Sequence, residues 1–308
     1  MKIFKIYSLV LLIILAFSCK ETVETTSKLS EAARPENEQL ASKAQLSKEF
    51  KDYWYAGEAE ITSYKLEQAR YGEMRDGTAV LIYVTEDFLP EAQVKADTYS
   101  ENNISVLKLN ATKNFNTGIY PYSIMQSTFY PVTNNEHAIK ISASVQEWCG
   151  QVYAQINNRA DFEVMSHSYF QGEADEDFNL EKALTENELW TKLRIDPQSL
   201  PTGNINIIPS LEYLRLAHKE IKAYNAQAEL KNDSYTIIYP DLNRSLTLYF
   251  NPEFPYGISG WEETMVSGFG ASAKTLTTKA TKLESIKSAY WTKNGNSDET
   301  LRQSLKLQ

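Results

Sequence analysis

From Glu58 onward the chain alternates apolar and polar positions with a period of two over long stretches, which predicts strands. One strand is predicted at 58–71 and another at 79–84, with Asp76-Gly77 as the hairpin turn between them. Others are predicted at 104–109, 124–132, 139–156 and 162–170, with Asn134-Asn135 and Asn157-Asn158 supplying turns. The segment 139–156 reads as one long strand, bulged or bent at Gly150. Between 180 and 218 the period changes. Thr185-Glu186-Asn187-Glu188 is a capping-box pattern ahead of Leu189, Trp190 and Leu193, so a short helix is predicted, ended by Pro197, Pro201 and Gly203. Pro209-Ser210 opens a second helix carrying Leu211, Leu214 and Ala217. Strand alternation returns at 224–230, 235–239 and 245–250, and 274–291 reads as extended.

No internal repeat or long linker interrupts residues 49–308, so they are expected to form a single β-rich domain. Its fold class is mainly β: an antiparallel β-barrel or half-barrel with a few short helices over one mouth or face, because closure hides strand edges. A split into two domains near 195–210 is the alternative.

The first residues follow a different pattern. Lys2 and Lys5 precede an apolar run from Ile6 to Phe17, then Ser18-Cys19. The run is short for a bilayer span, and a small residue before the cut describes a secretory signal over 1–18. The arrangement resembles a bacterial lipobox, in which Cys19 is lipidated and becomes the mature N-terminus. Residues 19–48 contain no aromatic and are rich in Glu, Ser, Thr, Ala and Lys, so they read as a flexible tether. Lys20 in place of Asp suggests, by resemblance to other lipoproteins, the outer membrane of the cell envelope, with its face undetermined.

Composition narrows the function. The chain has 308 residues, 42% apolar, with a formal charge of −9 and no basic block, which argues against nucleic acid as a partner. Two cysteines, one of them Cys19, rule out a disulfide framework, and three histidines with no paired spacing argue against a metal centre. No cofactor is expected. Cys149 is expected to be a buried thiol packed beside Trp148. Glu173-Ala174-Asp175-Glu176-Asp177 lacks the alternation of a calcium loop and reads as solvated.

Two motifs suggest nucleotide chemistry and then fail. Gly268-Phe269-Gly270-Ala271-Ser272-Ala273-Lys274-Thr275 is one glycine short of a P-loop, and the run after it is strand-like where a helix is required. Leu40-Ala41-Ser42 and Ala96-Asp97-Thr98 echo signatures of the Maf-type nucleotide pyrophosphatases. That family continues its first motif with a phosphate-binding Ser-Pro-Arg-Arg, whereas this chain has Lys43-Ala44-Gln45-Leu46 in its tether. A hydrolase with a dispersed Ser/His/Asp site would need a His within reach of a Ser or Cys in a cleft.

Three passages carry a family resemblance: Gln146-Glu147-Trp148-Cys149-Gly150, then Ser168-Tyr169-Phe170-Gln171-Gly172-Glu173-Ala174-Asp175, then Ile208-Pro209-Ser210-Leu211-Glu212-Tyr213-Leu214-Arg215. With 56–88 they resemble uncharacterised lipoproteins of flavobacteria and other Bacteroidota. The resemblance implies no catalytic residue, and the Maf label that some members carry implies no activity here.

These readings converge on a non-enzymatic, membrane-anchored lipoprotein that binds a lipid or other apolar ligand. Trp148, Tyr153, Phe170 and Tyr239 are the candidate lining residues. The alternative is a subunit that docks on an envelope protein through exposed aromatics.

Overall fold

The period-two alternation is realised as one large sheet in a computed structural model, which describes residues 46–133 and 136–307. The leader, Cys19, nearly all of the tether and the Asn134-Asn135 turn lie outside the described residues. Helix α1 (Lys48–Trp54) leads into β1 (Ala59–Arg70), β2 (Glu73–Leu89), β3 (Val94–Lys95), β4 (Ile104–Thr117) and β5 (Tyr120–Pro131). Then come β6 (Lys140–Glu147), β7 (Gly150–Asn158), β8 (Phe162–His167), β9 (Glu176–Leu180) and β10 (Leu184–Thr185). Helix α2 (Glu186–Ile195), β11 (Gly203–Ile208) and α3 (Leu211–Leu216) form the middle of the chain. The remainder is β12 (Tyr224–Leu230), β13 (Ser234–Tyr239), β14 (Arg244–Phe250), β15 (Ile258–Ser267), β16 (Lys274–Ser288) and α4 (Thr300–Ser304).

The ladder runs β10-β11-β12-β13-β14-β15-β16-β1-β2-β4-β5-β6-β7-β8-β9, with β3 paired to β2. Every pairing is antiparallel except β10 with β11. Its two ends, β9 and β10, are not bonded to each other, so the sheet is a half-barrel and not a closed barrel. The described residues form one compact unit that holds the whole sheet.

Residues of alternate parity line the concave face, among them Tyr64, Leu66, Leu81, Tyr83, Leu107 and Leu109, all in the main core. Helices α2 and α3 lie against this face, on β4, β5 and β6. Thr185 caps α2 through the expected box: its hydroxyl accepts from the Glu188 amide, while Glu188 accepts from the Thr185 amide. Ser210 caps α3 by accepting from the Tyr213 amide. Burial does not alternate in the first half of β1, because the C-terminal segment covers the outer face. There Ala59, Ile61 and Val84 pack against Leu305, and Ser63 donates to the Leu305 carbonyl at 2.5 Å.

Several local expectations are corrected. The first hairpin turns at Tyr71-Gly72, both with positive φ (56° and 77°), as a two-residue type I′ turn needs. Asp76-Gly77 instead lies inside β2. A Cβ on Gly77 would stand 2.4 Å from the Asn114 carbonyl oxygen of β4, so this glycine serves a close approach and not a turn. The segment 139–156 is two strands, β6 and β7, joined at Trp148-Cys149. Asn157-Asn158 end β7, and the turn falls on the residues after them. Met265-Val266 belongs to the ten-residue β15. Lys274-Thr275 open β16, so the glycine-rich segment before them feeds a strand.

Candidate ligand groove

Buried charge ties the helices into the half-barrel. Arg194 of α2 meets Glu60 of β1 in two parallel 2.7 Å bonds, and its guanidinium lies 4.6 Å from the Tyr83 ring centroid. Arg244 of β14 forks onto Glu186 of α2 at 2.5 and 2.7 Å and donates through Nε to Glu263 of β15 at 2.6 Å. Tyr239 adds its hydroxyl to Glu186 at 2.7 Å. Lys113 of β4 pairs with Glu212 of α3 at 2.7 Å, and Gln126 donates to the other Glu212 oxygen. Burial pushes the Glu186 carboxyl up, but the Arg244 guanidinium and its bonds outweigh that and hold it below the usual range. Glu60 is lowered in the same way: Arg194 overcomes its burial. Glu212 is raised, because burial and the nearby Glu263 charge together exceed the pull of Lys113. Burial lowers Lys113, yet Glu212 and Glu263 hold it above the ordinary value.

The helices and this network pack over the β4–β5 part of the concave face. Only about 40 Å³ is left among Lys113, Glu212, Arg244 and Trp261, room for a few waters.

Space opens at the seam, where β9 and β10 fail to pair. A groove of about 410 Å³ is walled on one side by β7, β8 and the loop after β8, and on the other by α3 and the loop leading to β12. Its apolar surface comes from Val152, Ala154, Phe170, Leu211, Leu214 and Ile221. Its polar surface includes Glu173, Arg215, His218 and Lys219. Phe170 is the hub: the Arg215 guanidinium lies 4.3 Å from its ring centroid and the His218 ring 5.0 Å away, edge-on. Glu173 accepts from Ser168 Oγ at 2.7 Å and meets His218 Nδ1 at 2.5 Å.

Of the four residues proposed from sequence, Phe170 alone lines this groove. Tyr239 is fully buried in the charge network. Tyr153 projects from the other face of β7, where its hydroxyl donates to Gln155 in an outer polar ladder. Trp148 is 67% exposed at the tip of the β6–β7 hairpin. Cys149 shares that tip and is exposed, not buried beside Trp148, because both residues form the turn itself. The Glu147 carboxylate beside it holds the Cys149 thiol above its usual pKa. Lipidation at Cys19 lies outside the described residues.

Sequence reasoning passed over Arg215, although a signal was present. Leu211, Leu214 and Arg215 stand at i, i+3 and i+4, which places a cation on the apolar face of a short helix. The acidic run resolves into separate pairings: Glu173 with His218, Asp175 with His167 at 3.3 Å, and Glu176 within β9. Among the described residues no group of three His, Cys, Asp or Glu side chains is arranged to hold a metal ion.

No family model matches the chain, and no curated protein matches it. Among solved structures the chain is similar to a β-barrel-like protein of domain of unknown function DUF1849 from Brucella abortus. The TM-score is 0.45 at 7% identity, covering 75% of this chain and 98% of that one. It is also similar to a porin-like protein from Bacteroides uniformis, with TM-score 0.21 and 8% identity over 74% of this chain and 96% of that one. The class defined by the fold itself is an antiparallel half-barrel with helices over part of its concave face and a groove at its seam. No helix among the described residues is long and apolar enough to cross a membrane.

Proposed function

We propose that the protein is a non-enzymatic, membrane-anchored lipoprotein of the cell envelope that binds a lipid or other amphipathic ligand in the seam groove. The observation that carries this reading is the groove, whose volume falls within the roughly 300–1,000 Å³ of small-molecule sites. It combines an apolar wall with a few convergent polar groups. Anchoring through Cys19 follows from the basic, apolar and small-residue pattern before it.

A second reading, docking on an envelope partner, has its own support. The antiparallel order places the β4–β5, β6–β7 and β15–β16 tips at one end of the sheet. Ile119 (82% exposed), Trp148 (67%) and Phe269 (65%) occupy those three tips. The groove opens at the same end, since the loops after β8 and α3 both lie there.

Residues 20–308 contain the entire compact unit and can be exported behind a plain signal peptide. Native mass spectrometry of that protein, isolated from a bacterial envelope, is expected to show extra mass that organic solvent removes and that identifies as lipid. A clean apo mass, together with failure to take up a neutral apolar dye, would count against the binder and turn attention to crosslinking of partners. For the full chain, radiolabelled palmitate is expected to be incorporated and to be lost in Cys19→Ala. Label that persists in the variant would remove the anchor from the proposal.

A further inference from the structure

The groove contains a cation whose hydrogen-bonding capacity is unused. The Arg215 side chain retains only 10% exposure, and its Nε and Nη1 are buried with no hydrogen-bond partner. Glu173 Oε1 stands 3.9 Å from Nη1, beyond hydrogen-bond range, and the two Glu173 oxygens are already engaged by His218 and Ser168. Its guanidinium carbon lies over the Phe170 ring, 4.3 Å from the centroid. A second buried cation stands behind it. Arg70 donates to the Leu216 carbonyl, one residue beyond Arg215, and its other bonds go to the Tyr71 and Tyr122 hydroxyls rather than to a carboxylate. Glu176 and Glu220 also line the groove, but both are exposed, so water and salt screen them more than they screen Arg215. Lys219 on the same rim offsets one of them.

Buried donors are expensive to leave unmade, and guanidinium pairs most strongly with carboxylate and phosphate oxygens. We infer that the groove takes an amphipathic oxyanion, a carboxylate or phosphate monoester bearing an apolar chain, with its charged end on Arg215 and its chain along Val152, Ala154, Leu211 and Leu214. This inference rests on the groove being the ligand site and specifies the ligand's chemistry.

The test is a fluorescence titration of residues 20–308 with cis-parinaric acid and with its methyl ester. The acid is expected to bind roughly 10- to 100-fold more tightly than the ester, the range for a charge-assisted hydrogen bond. Arg215→Gln should bring the acid down to the ester's affinity while moving the ester itself less than about three-fold, and Arg215→Lys should restore part of the preference. Ser166→Trp, on the β8 wall of the groove, should abolish binding of both probes. Dodecyl phosphate should displace the acid, whereas inorganic phosphate at the same concentration should not.

Equal affinity for acid and ester, or a preference that survives Arg215→Gln, overturns the oxyanion and leaves the groove reading standing. Binding of neither probe overturns both. Binding that survives Ser166→Trp places the probe elsewhere and sinks the inference. Displacement by inorganic phosphate as effective as by dodecyl phosphate removes the apolar chain from it.

Discussion

Replacing Arg244 by Met is expected to destabilise the domain by about 3–5 kcal/mol, the usual cost of leaving a buried charge without its partner. On a domain of this size that corresponds to roughly 6–20 °C in Tm. Arg244 is 3% exposed and bonds Glu186 twice and Glu263 once, so its loss leaves two buried carboxylates without the cation that bonds them. The effect is larger than that of a surface pair because water cannot replace the lost bonds. Removing Glu186 as well, as Arg244→Met with Glu186→Leu, should cost less than the sum of the two single changes, since the pair's desolvation penalty disappears with it. Urea unfolding of the four proteins in the cycle measures this. A single-variant loss below about 1 kcal/mol would show that the network is well solvated and does not secure α2.

The second large effect is loss of stability in acid. Glu60 and Glu186 are 6% and 2% exposed, and both have carboxyl pKa values lowered by their arginines. A carboxyl with a lower pKa folded than unfolded contributes stability that is fully present above the unfolded value, here near 4.5. That contribution disappears as pH falls through the lowered folded value. Glu212 works in the opposite direction: its raised pKa means the folded state gains from protonation as pH drops, which offsets part of the loss. Two lowered groups against one raised group predict a net fall in Tm below about pH 4.5. The gap in Tm between wild type and Glu186→Gln should be widest near pH 7 and shrink toward pH 3. A gap that stays constant over that range would mean Glu186 does not titrate with unfolding.

The candidate site was legible in the sequence only in part. Phe170 was singled out as an aromatic in a strand-rich region, and it does line the groove. Trp148, chosen on the same grounds, stands at a hairpin tip because 139–156 is two strands. That error traces to Gly150, read as a bend within one strand when it begins β7. Asp76-Gly77 misled similarly: the dipeptide favours a turn, but packing of β2 on β4 uses this glycine for its missing side chain. Composition marks what a turn permits, and neighbouring strands choose which permission is used.

Elements whose causes are local can be read from the chain alone. Period-two alternation produced the strands, the Thr185–Glu188 box started α2 and Ser210 started α3, because the groups responsible lie within a few residues of one another. Which charges meet depends on the folded sheet. Glu60 and Arg194 are 134 positions apart and Glu186 and Arg244 are 58, so their pairing depends on strand register and on which face of each helix turns inward. The groove was decided at the same level. It forms where β7, β8 and the loop after β8 come opposite α3 and the loop that follows it, leaving Arg215 buried with donors to spare.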